Sequence, residues 1–159
     1  MKVGIIGPSK LKEFYKIKKV AEIIAKLKHE VVLTPDRGSS SEFFAKEYLN
    51  AGGKKVFEII PLEDKEFGYE WVNVELGKKI NCGTWRNQPE KLNEECDVLV
   101  CLGYSAGGLA EIAYTKWFPK GKAKKPVYII EELVSGKLPE EIDLDLRYIS
   151  VEDLAEVLK

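Results

Sequence analysis

The sequence predicts a doubly wound α/β domain, a mostly parallel sheet with helices on both faces. Three observations predict it. Short runs that are apolar almost throughout (KVGIIG, EVVLT, VFEII, DVLVCL, PVYII) recur along the chain. The segments between them repeat their apolar residues at helical spacing, and Gly, Pro or Ser punctuates the joins. Strands apolar on both faces and separated by helices are what a covered parallel sheet requires. At 159 residues, 45% of them hydrophobic, the chain fits one Rossmann-like domain over 1–159, and two folded domains would be cramped.

Taken in order, Lys2–Gly7 is the first strand, ended by Gly7-Pro8. Ser9 stands where an N-cap opens a helix to about Leu27, with Phe14, Ile17, Val20, Ala21, Ile24 and Leu27 on one face. Glu30–Thr34 is the second strand and Ser39–Asn50 the second helix, stopped by Ala51-Gly52-Gly53. Val56–Ile60 is the third strand, ended by Pro61. From about 62 to 85 the pattern turns irregular and reads as an insertion, with EWVNVEL as an edge strand. Phe67, Tyr69, Trp71 and Val72 give that insertion more aromatic surface than a connection needs, suited to covering a site or meeting a partner subunit. Pro89–Glu95 is a short helix. The most apolar strand, Asp97–Leu102, leads through GYSAGG into a helix from about Leu109 to Trp117. Pro126–Ile130 follows, and Tyr148–Ser150 with Val151–Leu158 make a last strand and helix, capped at Ser150.

Composition narrows function. A net charge of −1 provides no basic field for a phosphate backbone, which argues against a general nucleic-acid binder. Nearly all of the 25 Lys+Arg are lysine, so histidine catalysis, His-rich metal sites and arginine clamps must draw on Arg37, Arg86, Arg147 and His29. KGKAKK (Lys120–Lys125) reads as a solvated basic loop. Cys82, Cys96 and Cys101 are odd in number and lack zinc-site spacing, so reduced thiols and no metal are expected. No apolar run is long enough for a membrane span, and the first fifteen residues read as a strand and a charged helix. A soluble, cytoplasmic protein is expected. The Lys/Glu excess is of the kind seen in hyperthermophile proteins.

In open α/β sheets ligands sit beyond the carboxyl ends of the strands, at the topological switch point. The informative residues are therefore Gly7-Pro8-Ser9, Pro35–Ser39 and Gly103–Gly108. Read literally, Gly103–Gly107 is the G-x-S-x-G of a nucleophile elbow, but Ser105 needs an imidazole base. The single His29 precedes the serine and lies at the start of the second strand, so that reading is set aside. Two readings stay open. In one, the glycines only let a strand turn tightly into a helix. In the other, Ser105, Ala106, Gly107 and Gly108 present backbone N–H groups to a phosphate or carboxylate. Glu111, one turn on, either caps the turn or faces whatever is attached to the anion. Arg86, a rigid bidentate donor just upstream of the buried strand, favours the second role.

CDVLVCLGYSAGGLAEIAYTKW, with KPVYII downstream, resembles the SLOG superfamily of Rossmann-like nucleotide-binding proteins, whose best-known branch is the Lonely Guy phosphoribohydrolases. That family carries PGGxGTxxE after its fourth strand. Here Gly103, Tyr104 and Ser105 stand for the Pro and two Gly, Gly107 keeps the later glycine, Gly108 replaces the Thr, and Glu111 keeps the glutamate. Asp97 keeps the aspartate at the strand start. Arg86-Asn87 resembles the Arg-Asn pair of a bacterial and archaeal branch. AGGKKVFEIIP resembles GGxVxGVIP through Gly52, Gly53, Val56, Ile60 and Pro61. The family's GGGxxGLMG corresponds to TPDRGSSSEF, which keeps only Gly38, offers Arg37, Ser39, Ser40 and Ser41 as replacement donors, and adds Asp36, which repels anions.

The resemblance implies cleavage of the N-glycosidic bond of a nucleoside 5′-monophosphate through an oxocarbenium-like state. It implies Glu111 and Arg86 as the catalytic couple, with Arg86 orienting Glu111 or holding substrate and lowering its pKa. Gly7, Ser9, Arg37, Gly38, Ser39 and the turn Gly103, Tyr104, Ser105, Ala106, Gly107 and Gly108 would contact the nucleotide, Tyr104 and Ser9 at sugar or base. A homodimer or higher oligomer follows from the same likeness, and no cofactor is expected. Two other functions suit these residues: a nucleoside 2-deoxyribosyltransferase with a nucleophilic glutamate, and a non-catalytic protein that senses or carries a nucleotide or nucleotide-like cofactor.

Overall fold

A computed structural model describes residues 1–10, 12–117 and 124–159. Seven parallel strands among these residues form one sheet: β1 (Lys2–Ile6), β2 (Glu30–Leu33), β3 (Val56–Ile60), β4 (Lys78–Asn81), β5 (Val98–Cys101), β6 (Val127–Ile130) and β7 (Leu146–Ile149). Their order across the sheet is β4-β3-β2-β1-β5-β6-β7, so the winding reverses between β1 and β5, the switch point that the doubly wound prediction requires. In register, Gly4 lies beside Val32 on one side and Leu99 on the other.

Alternate side chains of each strand feed two separate cores. Val3, Ile5, Val31, Leu33, Val100 and Ile130 pack under α1 (Phe14–Lys26), α2 (Ser40–Asn50) and α5 (Leu154–Val157). Ile6, Val32, Ile59, Leu99, Cys101 and Ile129 pack under α3 (Gln88–Glu95) and α4 (Ala106–Ala113). Burial on both faces is why these runs carry no polar alternation. In α1, Ile17, Val20, Ala21 and Ile24 have 0% exposure, the i, i+3, i+4, i+7 stripe of a surface helix. Truncating Ile17 to Ala removes about 2–5 kcal/mol by leaving a cavity under that stripe.

Several boundaries differ from the sequence reading, each for a tertiary reason. The first helix begins at Phe14, not at Ser9, and Glu13 precedes it in the left-handed region. Ser40 N–H donates to Pro8 O at 3.1 Å and Ser40 Oγ to Lys10 O at 3.1 Å, so carbonyls that an earlier helix start would use are turned toward α2. Phe14, expected on the buried face, is 62% exposed. EWVNVEL is not a strand of the sheet. Val72 makes an isolated antiparallel bridge to Asp36, and the edge strand is the polar KKIN of β4, where Ile80 packs on the core. The helix after β5 starts at Ala106 and tightens to a 3-10 turn at Tyr114–Lys116. The last strand starts at Leu146, and its helix is only Leu154–Val157 because Ser150 Oγ accepts from Asp153 N–H, forming a turn first.

The basic loop also changes character. Its residues 120–123 lie outside the described residues, but Lys125 is buried rather than solvated. Its ammonium donates to the carbonyls of Asn93 and Cys96 at the C-terminal end of α3, where a cation is favoured. Cys82, Cys96 and Cys101 are free thiols. No helix among the described residues is long and apolar enough to cross a membrane.

Candidate functional site

Beyond the carboxyl ends of β1, β5 and β6 lies a crevice of about 540 Å³, in the size range of small-molecule pockets. Pro8, Ser9, Lys10 and Lys12 come from the loop after β1, Gly103, Tyr104 and Ser105 from the turn after β5, and Glu132–Ser135 follow β6. Glu13, just before α1, Ser40, at the start of α2, and Leu102 complete the wall, so the carboxylates of Glu13 and Glu132 stand in the lining beside the two lysines. Gly103 has φ +145°, a region essentially restricted to glycine, and a Cβ there would meet Pro8 Cγ at 2.9 Å. This close approach brings the β1 and β5 loops together at the switch point.

Ser105 is the N-cap of α4. It is extended (φ −154°, ψ 167°), and its Oγ accepts from Gly108 N–H at 3.0 Å. That bond uses the serine as a cap, which leaves it no elbow geometry, while His29 sits at the opposite end of the sheet with Nε2 2.6 Å from Leu158 O. Ala106 and Gly107 are the first two helical residues, whose N–H groups have no carbonyl to meet within the helix. Both are exposed, and a Cβ on Gly107 would find no atom within 4 Å. Gly108 is different: a Cβ would come within 2.9 Å of Ile6 Cγ2, so this glycine serves packing. The packing reading of the glycine-rich turn therefore holds for Gly108, while Gly107 has no packing role.

The turn after β2 is closed. Gly38 N–H donates to Glu42 Oε1 (3.2 Å), Ser39 N–H to Asp36 O (3.0 Å), and Glu42 N–H to the Ser39 cap (3.2 Å). Gly7 lets α2 approach, since a Cβ there would lie 2.5 Å from Ser41 Oγ. Arg37 is exposed, with its N–H bonded to Trp71 O at 2.8 Å. The expected phosphate donors of Gly38 and Ser39 are thus used within the protein.

Glu111 does not line the crevice; it faces the β2 side of the same turn. Its Oε1 accepts from Gln88 Nε2 at 2.8 Å, and Gln88 Nε2 also donates to Thr34 Oγ1 at 3.0 Å. Asn93 Nδ2 holds the Glu111 carbonyl at 2.8 Å. Burial raises the Glu111 carboxyl to about 7, opposed by the Gln88 hydrogen bond and reinforced by Asp36. Asp36 is itself pushed up to about 6 by burial, and its Oδ1 is buried without a hydrogen-bond partner. The structure corrects the expected couple: Arg86 is not what holds Glu111. Its side chain is 83% exposed and 3.7 Å from Glu66, and the Glu111 pKa is raised, not lowered. Linear proximity to the buried strand was a poor guide, because Trp85–Asn87 is a 3-10 turn whose arginine faces outward.

Tyr104 lines the crevice, but its hydroxyl is bonded to Tyr148 Oη at 3.2 Å, which in turn accepts Leu138 N–H at 2.7 Å. Sequence reasoning missed Lys10 and Lys12, which it placed within a helix, and Gln88, which carries no periodic signal. The irregular stretch before β4 is tied down by Asp64, whose carboxylate accepts from Phe67 and Trp85 N–H groups and is held below the usual carboxylate range by those bonds. Trp71 and Trp85 stack at 5.6 Å, leaving Phe67 and Trp71 56% and 44% exposed.

No protein-family model matches the chain, and no curated protein is similar to it in sequence. Solved structures are similar in fold. The molybdenum cofactor binding protein from the phototrophic bacterium Rippkaea orientalis is 17% identical, with a TM-score of 0.73 over 99% of this chain and 94% of that one. The molybdenum cofactor carrier protein from Chlamydomonas reinhardtii is 18% identical, with a TM-score of 0.74 over 99% and 95%. The structural-genomics target TM1055 is 18% identical, with a TM-score of 0.66 over 99% and 97%. At these identities the likeness is one of fold: this chain shares, over nearly its whole length, the Rossmann-like architecture of those proteins.

Proposed function

We propose that this chain is a single-unit, cytoplasmic protein that binds a nucleotide or nucleotide-like cofactor bearing a phosphate, in the crevice at the β1/β5 switch point. The observation that carries the reading is the first turn of α4, which follows the crevice-lining Ser105: Ala106 and Gly107 are exposed there, a Cβ on Gly107 would meet no atom within 4 Å, and Ser9, Lys10 and Lys12 belong to the crevice lining. Binding without turnover is favoured over hydrolysis because Arg86 pairs with Glu66 rather than with Glu111. The fold neighbours described as binding or carrying the molybdenum cofactor support the same choice.

The molybdenum cofactor, a pterin with a phosphate monoester, fits this donor set at its phosphate end. Ala106 and Gly107 N–H groups, with Ser9 and the two lysines, would hold that group. No group of three or more His, Cys, Asp or Glu able to hold a metal occurs among the described residues, and the buried thiols of Cys96 and Cys101 are pushed up to about 11 and about 12.

Mass spectrometry of ligand released from purified protein, followed by calorimetry with AMP, CMP, GMP and UMP and a ribose 5-phosphate assay, tests the reading. A bound phosphate-bearing ligand with no ribose 5-phosphate is expected. Gly107→Asp, which adds a carboxylate where nothing else is near, should lower ligand affinity at least about tenfold, about 1.4 kcal/mol, without loss of Tm. Failure of every phosphate compound to bind would overturn the proposal. Ribose 5-phosphate production that is lost in Glu111→Gln would favour the second reading, a phosphoribohydrolase, which rests on a Glu111 carboxyl poised near 7 to exchange a proton with the leaving base. Base exchange without free ribose phosphate would point instead to a deoxyribosyltransferase. The homodimer belongs to the same proposal, and light scattering on the eluted protein decides it.

A further inference from the structure

A chain of hydrogen bonds with fixed polarity runs from the sheet to Glu111. The Thr34 hydroxyl donates to Ile59 O at 2.9 Å, so its one proton is used and its oxygen can only accept. Gln88 Nε2 lies 3.0 Å from that oxygen and 2.8 Å from Glu111 Oε1. Turned over, the amide would set its carbonyl oxygen against Thr34 Oγ1 with no proton between them. The amide must therefore present its NH2, and the two hydrogens go to Thr34 and to Glu111. Gln88 is 6% exposed, which leaves little room for water to replace either partner. A carboxyl group with one oxygen held as an acceptor carries its proton on the other.

We propose that Gln88 is a positioning residue: it locks Oε1 of Glu111 as an acceptor, so that the exchangeable proton of the site is loaded on and released from Oε2. This rests on the second reading above, in which the Glu111 carboxyl exchanges a proton with a bound molecule, because only then does the placement of that proton matter to a ligand. The charged and titratable groups facing Glu111 are Asp36, from the loop after β2, and Cys101, from β5; α3 offers the neutral Gln88 and Asn93. Removing the Gln88 donor leaves Asp36 and burial to act alone, and both push the Glu111 proton on more tightly.

The experiment is a carboxyl titration of Glu111 by NMR on glutamate-labelled full-length protein, with Glu111→Gln to assign the signal. Gln88→Met keeps the volume and removes the donor; the Glu111 midpoint should rise by roughly half a pH unit or more. Thr34→Val frees the Gln88 amide to turn over and should also raise it, whereas Thr34→Ser should not. A folded Gln88→Met protein with an unmoved midpoint would overturn the proposal; if that variant does not fold, an unmoved midpoint in Thr34→Val does so. Ligand calorimetry on the same proteins separates the two claims. A shifted midpoint with no ligand bound by the wild type leaves Gln88 in place and removes the ligand site, and the reverse pattern does the opposite.

Discussion

Two strand-to-helix turns of this molecule start alike and end differently. After β2 and after β5, a serine caps the following helix through a bond from the third helical N–H, Glu42 N to Ser39 Oγ at 3.2 Å and Gly108 N to Ser105 Oγ at 3.0 Å. In the first turn Glu42 stands within the helix start and takes up Gly38 N–H, and Asn73 Nδ2 closes over it at 3.0 Å. In the second there is no acid in the first turn, and Ala106 and Gly107 are exposed. One helix end is satisfied by its own chain, and the other keeps its first two helical residues exposed. The lesson is that a serine cap says where a helix starts, while the residues two and three positions beyond it decide whether an anion can be received there.

The sharpest way to break the open turn is at Gly103. Gly103→Val places a branched side chain at φ +145°, with its Cβ 2.9 Å from Pro8 Cγ. The strain and contact together should remove about 2–4 kcal/mol of stability, seen as a lower midpoint in denaturant unfolding, and should splay the β1 and β5 loops so that ligand binding is lost. Unchanged stability would mean that this close approach is not needed.

The closed side should respond to pH. Asp36 is raised from 3.8 to about 6, so between those values the native state holds more protons than the unfolded chain, and stability falls as pH rises. This contribution is fully present below about pH 4 and gone above about pH 6. Asp36→Asn removes the loss: allowing for partial exposure, it should be more stable than wild type by about 1–2 kcal/mol at pH 8, with the gain vanishing at pH 4. Thermal unfolding at the two pH values checks the sign, and a gain independent of pH would contradict it.

Comparing the caps directly sharpens the contrast. Ser39→Ala and Ser105→Ala should each cost about 1 kcal/mol. Only Ser105→Ala should also weaken phosphate-ligand binding, because only its helix has N–H groups left over. Equal losses of affinity would erase the distinction between the turns.

The same contrast shows what was legible in the sequence. The five strands β1, β2, β3, β5 and β6 announce themselves because burial on both faces demands largely apolar runs, while KKIN, with only Ile80 packed, and LRYI, with Arg147 exposed, give a weaker signal. Local rules failed where distant groups compete for the same atoms. Ser9 has the chemistry of a cap, but the Pro8 and Lys10 carbonyls bond to Ser40, far along the chain. Glu111 was legible as a candidate from its place one turn past the glycines, whereas its hydrogen-bond partner, Gln88, emerges only when α3 is folded against α4.

Arg86 gives the smallest expected effect and a decisive one. A catalytic arginine that orients Glu111 would cost several orders of magnitude in rate and would move the carboxylate's pKa upward when removed. In the structure its guanidinium reaches Glu66 at 3.7 Å with both side chains mostly exposed, the arrangement for which measured couplings cluster near zero. Arg86→Ala should therefore change stability by less than about 0.5 kcal/mol and leave both the Glu111 titration and ligand affinity unaltered. Gln88→Met, two residues away, should move that titration. If Arg86→Ala moves it instead, the arginine reaches the site in solution, and the linear order of the motif describes the couple better than the hydrogen-bonded order does.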